Sequence, residues 1–249
     1  MIRYVCHFVD VKRNEVAPAF LFFLMWFFII VVFSILKPLK SGLFVENLGA
    51  KVELYAKLSN IGVAILAMIV YTFLYNKLGS RRLVVILSVG FILALLGFSS
   101  VLMTDQPTSA ANWTFYLFGD AWSTIWVTTF WAYLNEMTRT EQSKRLYGLI
   151  GGGAVIGGLV GGIIVWQLVQ PLGTSTLLIG CAGATAIIGL IIWFIETLAS
   201  KPDASIGRQA TGQAQAAVDT KKMNAAVEGA KLVLASKYLI AIVMIVFLY

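Results

Sequence analysis

Four residues in this 249-residue chain have types and places suited to binding a charged solute: Lys37, Lys40, Asp120 and Trp122. Lys37 and Lys40 follow a long apolar run, Val16–Leu36, while Asp120 and Trp122 stand inside another, Trp113–Leu134. An ammonium attracts phosphate or carboxylate, a carboxylate answers an ammonium or carries a proton, and an indole offers a flat face to a planar ring. A charge at mid-bilayer costs at least about 2.5–3.5 kcal/mol on insertion scales, so it needs a partner or a task. Two bland readings compete. Lys37 and Lys40 can snorkel to the interface on their long stems, and Asp120 can be a structural ion pair or a protonated packing acid. Trp122, Trp126 and Trp131, with Phe130, could stack a base or simply pack.

A second group, Asn135, Glu136, Arg139, Glu141, Lys144 and Arg145, alternates in sign just after the same run. Such a cluster suits a gate whose salt bridges form in one conformation and break in the other. The competing reading is a solvated basic loop. The glycines that follow, Gly151-Gly152-Gly153, Gly157-Gly158 and Gly161-Gly162, are not a phosphate loop, because neither a Gly-Lys-Ser/Thr triplet nor a preceding strand accompanies them. Gly153, Gly157 and Gly161 recur every four residues, the small-xxx-small spacing that lets membrane helices approach closely.

The elements that must hold these residues are membrane helices. Hydrophobic residues make up 59% of the chain and charged ones 12%, about half the charge a soluble surface carries. Crossing the hydrocarbon takes roughly 20 helical residues. Six runs qualify: Val16–Leu36, Leu58–Tyr75, Leu83–Met103, Trp113–Leu134, Leu149–Val169 and Thr176–Ile195. A further run from Tyr238 to Tyr249 reads as the start of a seventh span that the sequence cuts short. The expected organisation is therefore a six-span bundle over residues 1–195, a connector over 196–237 with a short amphipathic helix from Val218, and a truncated span over 238–249.

Charge placement orients the bundle. Of nineteen Lys and Arg, fifteen lie before the first run or in the second, fourth and sixth gaps, and four (Lys37, Lys40, Lys51, Lys57) lie in the first gap. The positive-inside rule then puts the amino terminus in the cytoplasm. Spread along the gaps in this way, the net charge of +7 is a topology signal and not a nucleic-acid footprint. The cysteines, Cys6 and Cys181, form no ligand spacing, and the single His7 has no visible partner. Neither a metal, a cofactor nor an enzyme's catalytic cluster is expected.

Six spans, a long cytoplasmic connector and another span is the layout of the major facilitator superfamily, in which two six-helix halves enclose a central site. The second gap, Asn76-Lys77-Leu78-Gly79-Ser80-Arg81-Arg82, resembles that superfamily's D-R-x-G-R-R loop, with Asn for Asp and Ser for the first Arg. Three other segments are similar to the ATP/ADP translocase family of plastids and intracellular bacteria. They are Phe130 to Met137 with Glu141, Lys144-Arg145-Leu146-Tyr147 and the glycine-rich fifth run; Ile35-Leu36-Lys37-Pro38-Leu39-Lys40; and Ala235-Ser236-Lys237-Tyr238. Asp120-Ala121-Trp122 is similar to the family's acidic-x-Trp element. The aspartates that flank the family's first-span lysine are absent here, replaced by Pro38 and Ser41.

The resemblance implies an all-α, major-facilitator-like half bundle that moves an anionic, phosphorylated metabolite, nucleotides first, by alternating access. It matches Lys40 to the family's lysine and Lys37 to its arginine, and it offers Lys40 as the partner of Asp120 across a central cavity. The implied partners are the bilayer, a small anion such as ATP or ADP, and a missing carboxy-terminal half or a second copy; nucleic acid is not one. The implied place is a bacterial inner membrane, or a plastid envelope. The alternatives are a proton-coupled carrier of another solute, with Asp120 carrying the proton, and a non-transporting membrane sensor or assembly subunit.

Overall fold

The computed structural model describes residues 16–102, 108–138 and 140–199. Four helices fill them: α1, Val16–Leu48; α2, Ala50–Val101; α3, Ser109–Met137; and α4, Thr140–Ala199. The helix α2 is broken at Gly79 (φ 73) and α4 at Gly173 (φ 74), so each is two helical arms joined at a left-handed glycine. Glycine adopts that backbone at no steric cost, which is why the chain reverses there. The break at Gly79 is the tight turn expected of the second gap. Counted as arms, the described residues hold six helical segments in the order of the six apolar runs.

The first apolar run ends at Leu36, but a functional role for Lys37 and Lys40 needs the helix to extend past it. The helix does continue, through Pro38 to Leu48, where Gly49 (φ 87) ends it. Pro38 removes one backbone donor, a loss that membrane helices tolerate when packing holds the chain in place. Packing does so here. Ile35, Leu36, Leu39, Lys40 and Phe44 continue one buried stripe across the proline, at the three- and four-residue spacing of a helix face.

Four stretches are long and apolar enough to cross a membrane: Val16–Leu48, Ala50–Gly79, Arg82–Val101 and Arg145–Leu198. The last contains both arms of α4. The protein is an all-helical membrane protein. Helix α3 is not among the four, although its run was counted as a span, because Trp, Tyr, Thr, Ser and Asn dilute its apolarity. Its large residues are instead the most enclosed in the bundle, with Phe115, Trp122, Trp126 and Phe130 each at most 1% exposed. The first arm of α2 is the opposite case: Leu58, Ile61, Ile65, Ile69 and Phe73 are open to the surroundings, as a lipid-facing helix requires.

Helices in lipid gain little from burying apolar surface, so close backbone approach must hold them together. The glycine row supplies it between α1 and the first arm of α4. A Cβ built on Gly153 would stand 2.5 Å from the Phe23 carbonyl oxygen, on Gly157 2.6 Å from that of Phe27, and on Gly161 2.7 Å from the Ser34 Cβ. All three spacings are shorter than real Cβ contacts, so this interface admits only glycine. The neighbouring Gly162 has nothing within 4 Å.

The connector was expected to begin at Glu196. The helix runs on to Ala199, and Glu196 is buried on it. The amphipathic helix expected from Val218 and the run from Tyr238 lie outside the described residues, as do Cys6 and His7.

Candidate functional site

Continuation of α1 past Leu36 separates its two lysines. Lys37 and Lys40 lie three residues apart across Pro38, yet Lys37 is exposed, with its Nζ 5.6 Å from the Phe33 ring centre, and Lys40 is 5% exposed. Snorkelling therefore describes Lys37 and fails for Lys40. The Lys40 ammonium turns into the bundle and makes an ion pair with the Asp120 carboxylate of α3.

Three residues on one face of α3 receive this lysine. Asp120 pairs with the ammonium. Gly119 leaves room for the stem, since a Cβ there would stand 2.9 Å from Lys40 Cδ. Tyr116, one helical turn back, lies under the charge, with its ring centre 4.3 Å from Nζ. Glycine at 119 reads as a weak spot in a helix, and the approach of Lys40 is its physical reason.

The pair sits beside a small apolar cluster of Phe44, Ala56 and Tyr116, separate from the main core. Phe44 and Tyr116 have ring centres 4.8 Å apart. In the first turns of α2, Glu53 meets Lys57 at 3.6 Å. On the same side, Asn47 of α1 donates to the Asn112 side chain of α3 at 3.4 Å. Lys40 and Asp120 balance each other, as do Glu53 and Lys57, and the exposed Lys37 has no carboxylate partner among the described residues.

Trp122 does not join them. It is fully buried among Phe91 and Trp126, with ring centres 6.4 and 6.1 Å away, and has no face open for stacking a base in this conformation. The indole nitrogens of Trp122 and Trp126 are both buried without a hydrogen-bond acceptor. Phe130 is likewise buried, stacked on Trp26 at 4.2 Å. Trp131 is the one of the four with an exposed surface, and it leans edge-on against Tyr147 at 5.7 Å.

Part of the expected gate is described. The Tyr147 hydroxyl donates to the Asn135 side chain, joining α3 to α4, and Tyr75 of α2 donates to Glu136 at 3.5 Å. Arg145 is half-buried. The side chains of Arg139, Glu141 and Lys144 lie outside the described residues. A contact that sequence reasoning missed lies at the same end of α3, where the Tyr133 hydroxyl donates to the buried Glu196 carboxylate at 3.1 Å. Glu196 lies four residues after Ile192 on the same helix, and its partner is sixty-three residues away in sequence.

Among the described residues no cluster of three or more His, Cys, Asp or Glu could hold a metal ion. Cys181 is a buried free thiol.

The sequence model of a family described as "TLC ATP/ADP transporter" matches residues 2–108 and 106–249, nearly the whole chain. Among curated proteins, ADP,ATP carrier protein 1 of Chlamydia pneumoniae is 26% identical, over 75% of this chain and 44% of its own. ADP,ATP carrier protein 1 of Chlamydia trachomatis is 28% identical, over 63% of this chain and 36% of its own. ADP,ATP carrier protein 3 of Rickettsia felis is 21% identical, over 96% of this chain and 56% of its own. The chain thus spans about half the length, or less, of these relatives. No solved structure matches it.

Proposed function

This chain belongs to the TLC ATP/ADP transporter family, and from that premise we propose that it is the amino-terminal half of a secondary transporter that exchanges nucleotides across a membrane. Its relatives are named as ADP,ATP carriers, which favours transport over catalysis and nucleotides over other phosphorylated metabolites. The half bundle is of the major-facilitator kind, with six spans and a cytoplasmic amino terminus. A second half, or a second copy, completes the central site.

The observation that carries this reading is the pairing of the buried Lys40 with the partly buried Asp120. Burying a charge is not a route to stability, because desolvation offsets much of the attraction to its partner. A pair kept in a membrane bundle at that cost is better explained by work done on a charged solute. Lys40 is the anion-binding group, and Asp120 is the counter-ion that holds it in the absence of substrate. Lys37, exposed and one turn earlier, attracts the anion before it is bound. Entry of a phosphate exchanges one anionic partner of Lys40 for another. Alternating access follows when one half rocks against the other about this site. Asn135, Glu136, Arg139, Glu141, Lys144 and Arg145 form the opposite gate, and the glycine row of α4 lets α1 shift against it. The setting is a bacterial inner membrane.

Exchange in liposomes tests the proposal. Membranes carrying the chain, alone and with a relative's carboxy-terminal half, are loaded with ADP and given labelled ATP outside. Uptake that requires internal ADP supports the reading. Nucleotide uptake that never depends on it, or a complete particle that moves no nucleotide, overturns it.

A further inference from the structure

The exchange of partners at Lys40 raises a physical question. An ammonium buried at 5% exposure would be unpaired between the departure of Asp120 and the arrival of a substrate anion, and an unpaired buried charge is strongly disfavoured. One group beside the lysine is suited to that interval. The Tyr116 ring lies 4.3 Å from Nζ, within the distance at which a ring face attracts a cation. A ring has no formal charge to neutralise, so it steadies the ammonium without competing with phosphate for it.

Two features hold the ring in that place: Tyr116 is 2% exposed, and Phe44 packs on it with ring centres 4.8 Å apart. We infer that Tyr116 is a positioning residue for transport: a neutral rest for the Lys40 ammonium, occupied as the cation passes from Asp120 to the substrate anion. The inference rests on the reading of Lys40 as the anion-binding group and adds a residue and a step to it. It gives Tyr116, Gly119 and Asp120 one shared task, with the glycine admitting the stem that the ring and the carboxylate then hold by its end.

The test separates ring from hydroxyl and transport from geometry. Tyr116→Phe keeps the ring face; Tyr116→Leu removes it. In ADP-loaded liposomes, Tyr116→Phe is expected within about twofold of the parent KM for ATP, and Tyr116→Leu about tenfold above it, the scale of one desolvated cation–π contact. Rescue by Phe is an effect that simple loss of folding would not produce. Independently of any transport, lysine-selective 13C NMR of the full chain in nanodiscs reads the ε-methylene of Lys40, identified by its absence in Lys40→Arg. Ring current shifts its protons upfield in the parent and in Tyr116→Phe, and that shift is lost in Tyr116→Leu. Equal KM for Phe and Leu, or a Lys40 signal unmoved by Tyr116→Leu, overturns the inference. If the parent moves no nucleotide, the function proposed above fails, and the NMR comparison alone decides whether the ring holds the cation.

Discussion

Lys40 of α1 and Asp120 of α3 face each other inside the helix bundle, eighty residues apart in sequence, as one ion pair. Only the continuation of α1 beyond Leu36 makes the meeting possible, because Lys40 lies a full turn past the end of the first apolar run. Several consequences can be measured.

Removing one charge should be worse than removing both. Asp120→Asn leaves the buried Lys40 ammonium unpaired, which costs about 3–5 kcal/mol, Lys40→Gln leaves a partly exposed carboxylate and costs less, and the double variant leaves no bare charge. Thermal unfolding of the purified protein in detergent should rank the double variant above both singles. Transport should not recover with it: all three should exchange nucleotide at less than about a tenth of the parent rate.

The two lysines of the first helix should behave differently. Lys37 is exposed and Lys40 is not. Lys37→Gln should leave the unfolding free energy within about 0.5 kcal/mol of the parent, the usual range for exposed positions. Its effect should fall on apparent affinity and grow weaker as salt is added, because attraction by an exposed charge is screened.

The glycine row gives a prediction with a built-in control. Gly153→Ala puts a methyl 2.5 Å from the Phe23 carbonyl oxygen, while Gly162→Ala meets nothing within 4 Å. Overpacking of this kind costs about 1–3 kcal/mol. Thermal melts should therefore show Gly153→Ala clearly destabilised and Gly162→Ala unchanged or slightly improved, since Ala favours the helix.

Trp122 should act through packing. Trp122→Ala removes a fully buried side chain and should cost about 3–5 kcal/mol. Trp122→Phe keeps a ring and deletes an indole N–H that has no acceptor, so it should cost much less. If Trp122 stacked a nucleobase, the Phe variant would change the preference among ATP, GTP and CTP; competition of unlabelled nucleotides against labelled ATP should show no such change.

Much of this was legible in the residues. The apolar runs located the helical arms because a membrane helix is nearly uniform in composition, and Gly79 announced its turn inside a basic loop. The four-residue glycine spacing identified a packing face before its partner was visible. Other features were hidden for definite reasons. Pro38 and two lysines left a span end and a longer helix both open, and the buried stripe through Leu39 and Phe44 decides for the longer helix. The indoles of α3 left packing and base stacking both open in the sequence, and the burial of Trp122, Trp126 and Phe130 is a long-range fact. Tyr116 drew no attention because an aromatic in an apolar run is ordinary; only a cation at 4.3 Å gives it a task. Glu196 was assigned to a connector because an acid after an apolar run usually marks water, and its tie to Tyr133 is a long-range fact.

Nucleotide binding by the purified chain in nanodiscs tests most directly whether the Lys40 ammonium is the seat of the anion. Titration with ATP and ADP is predicted to give saturable binding by the parent and by Lys37→Gln, and at least tenfold weaker binding by Lys40→Gln. Equal affinity in Lys40→Gln and the parent would contradict the account, because the anion would then be held somewhere else.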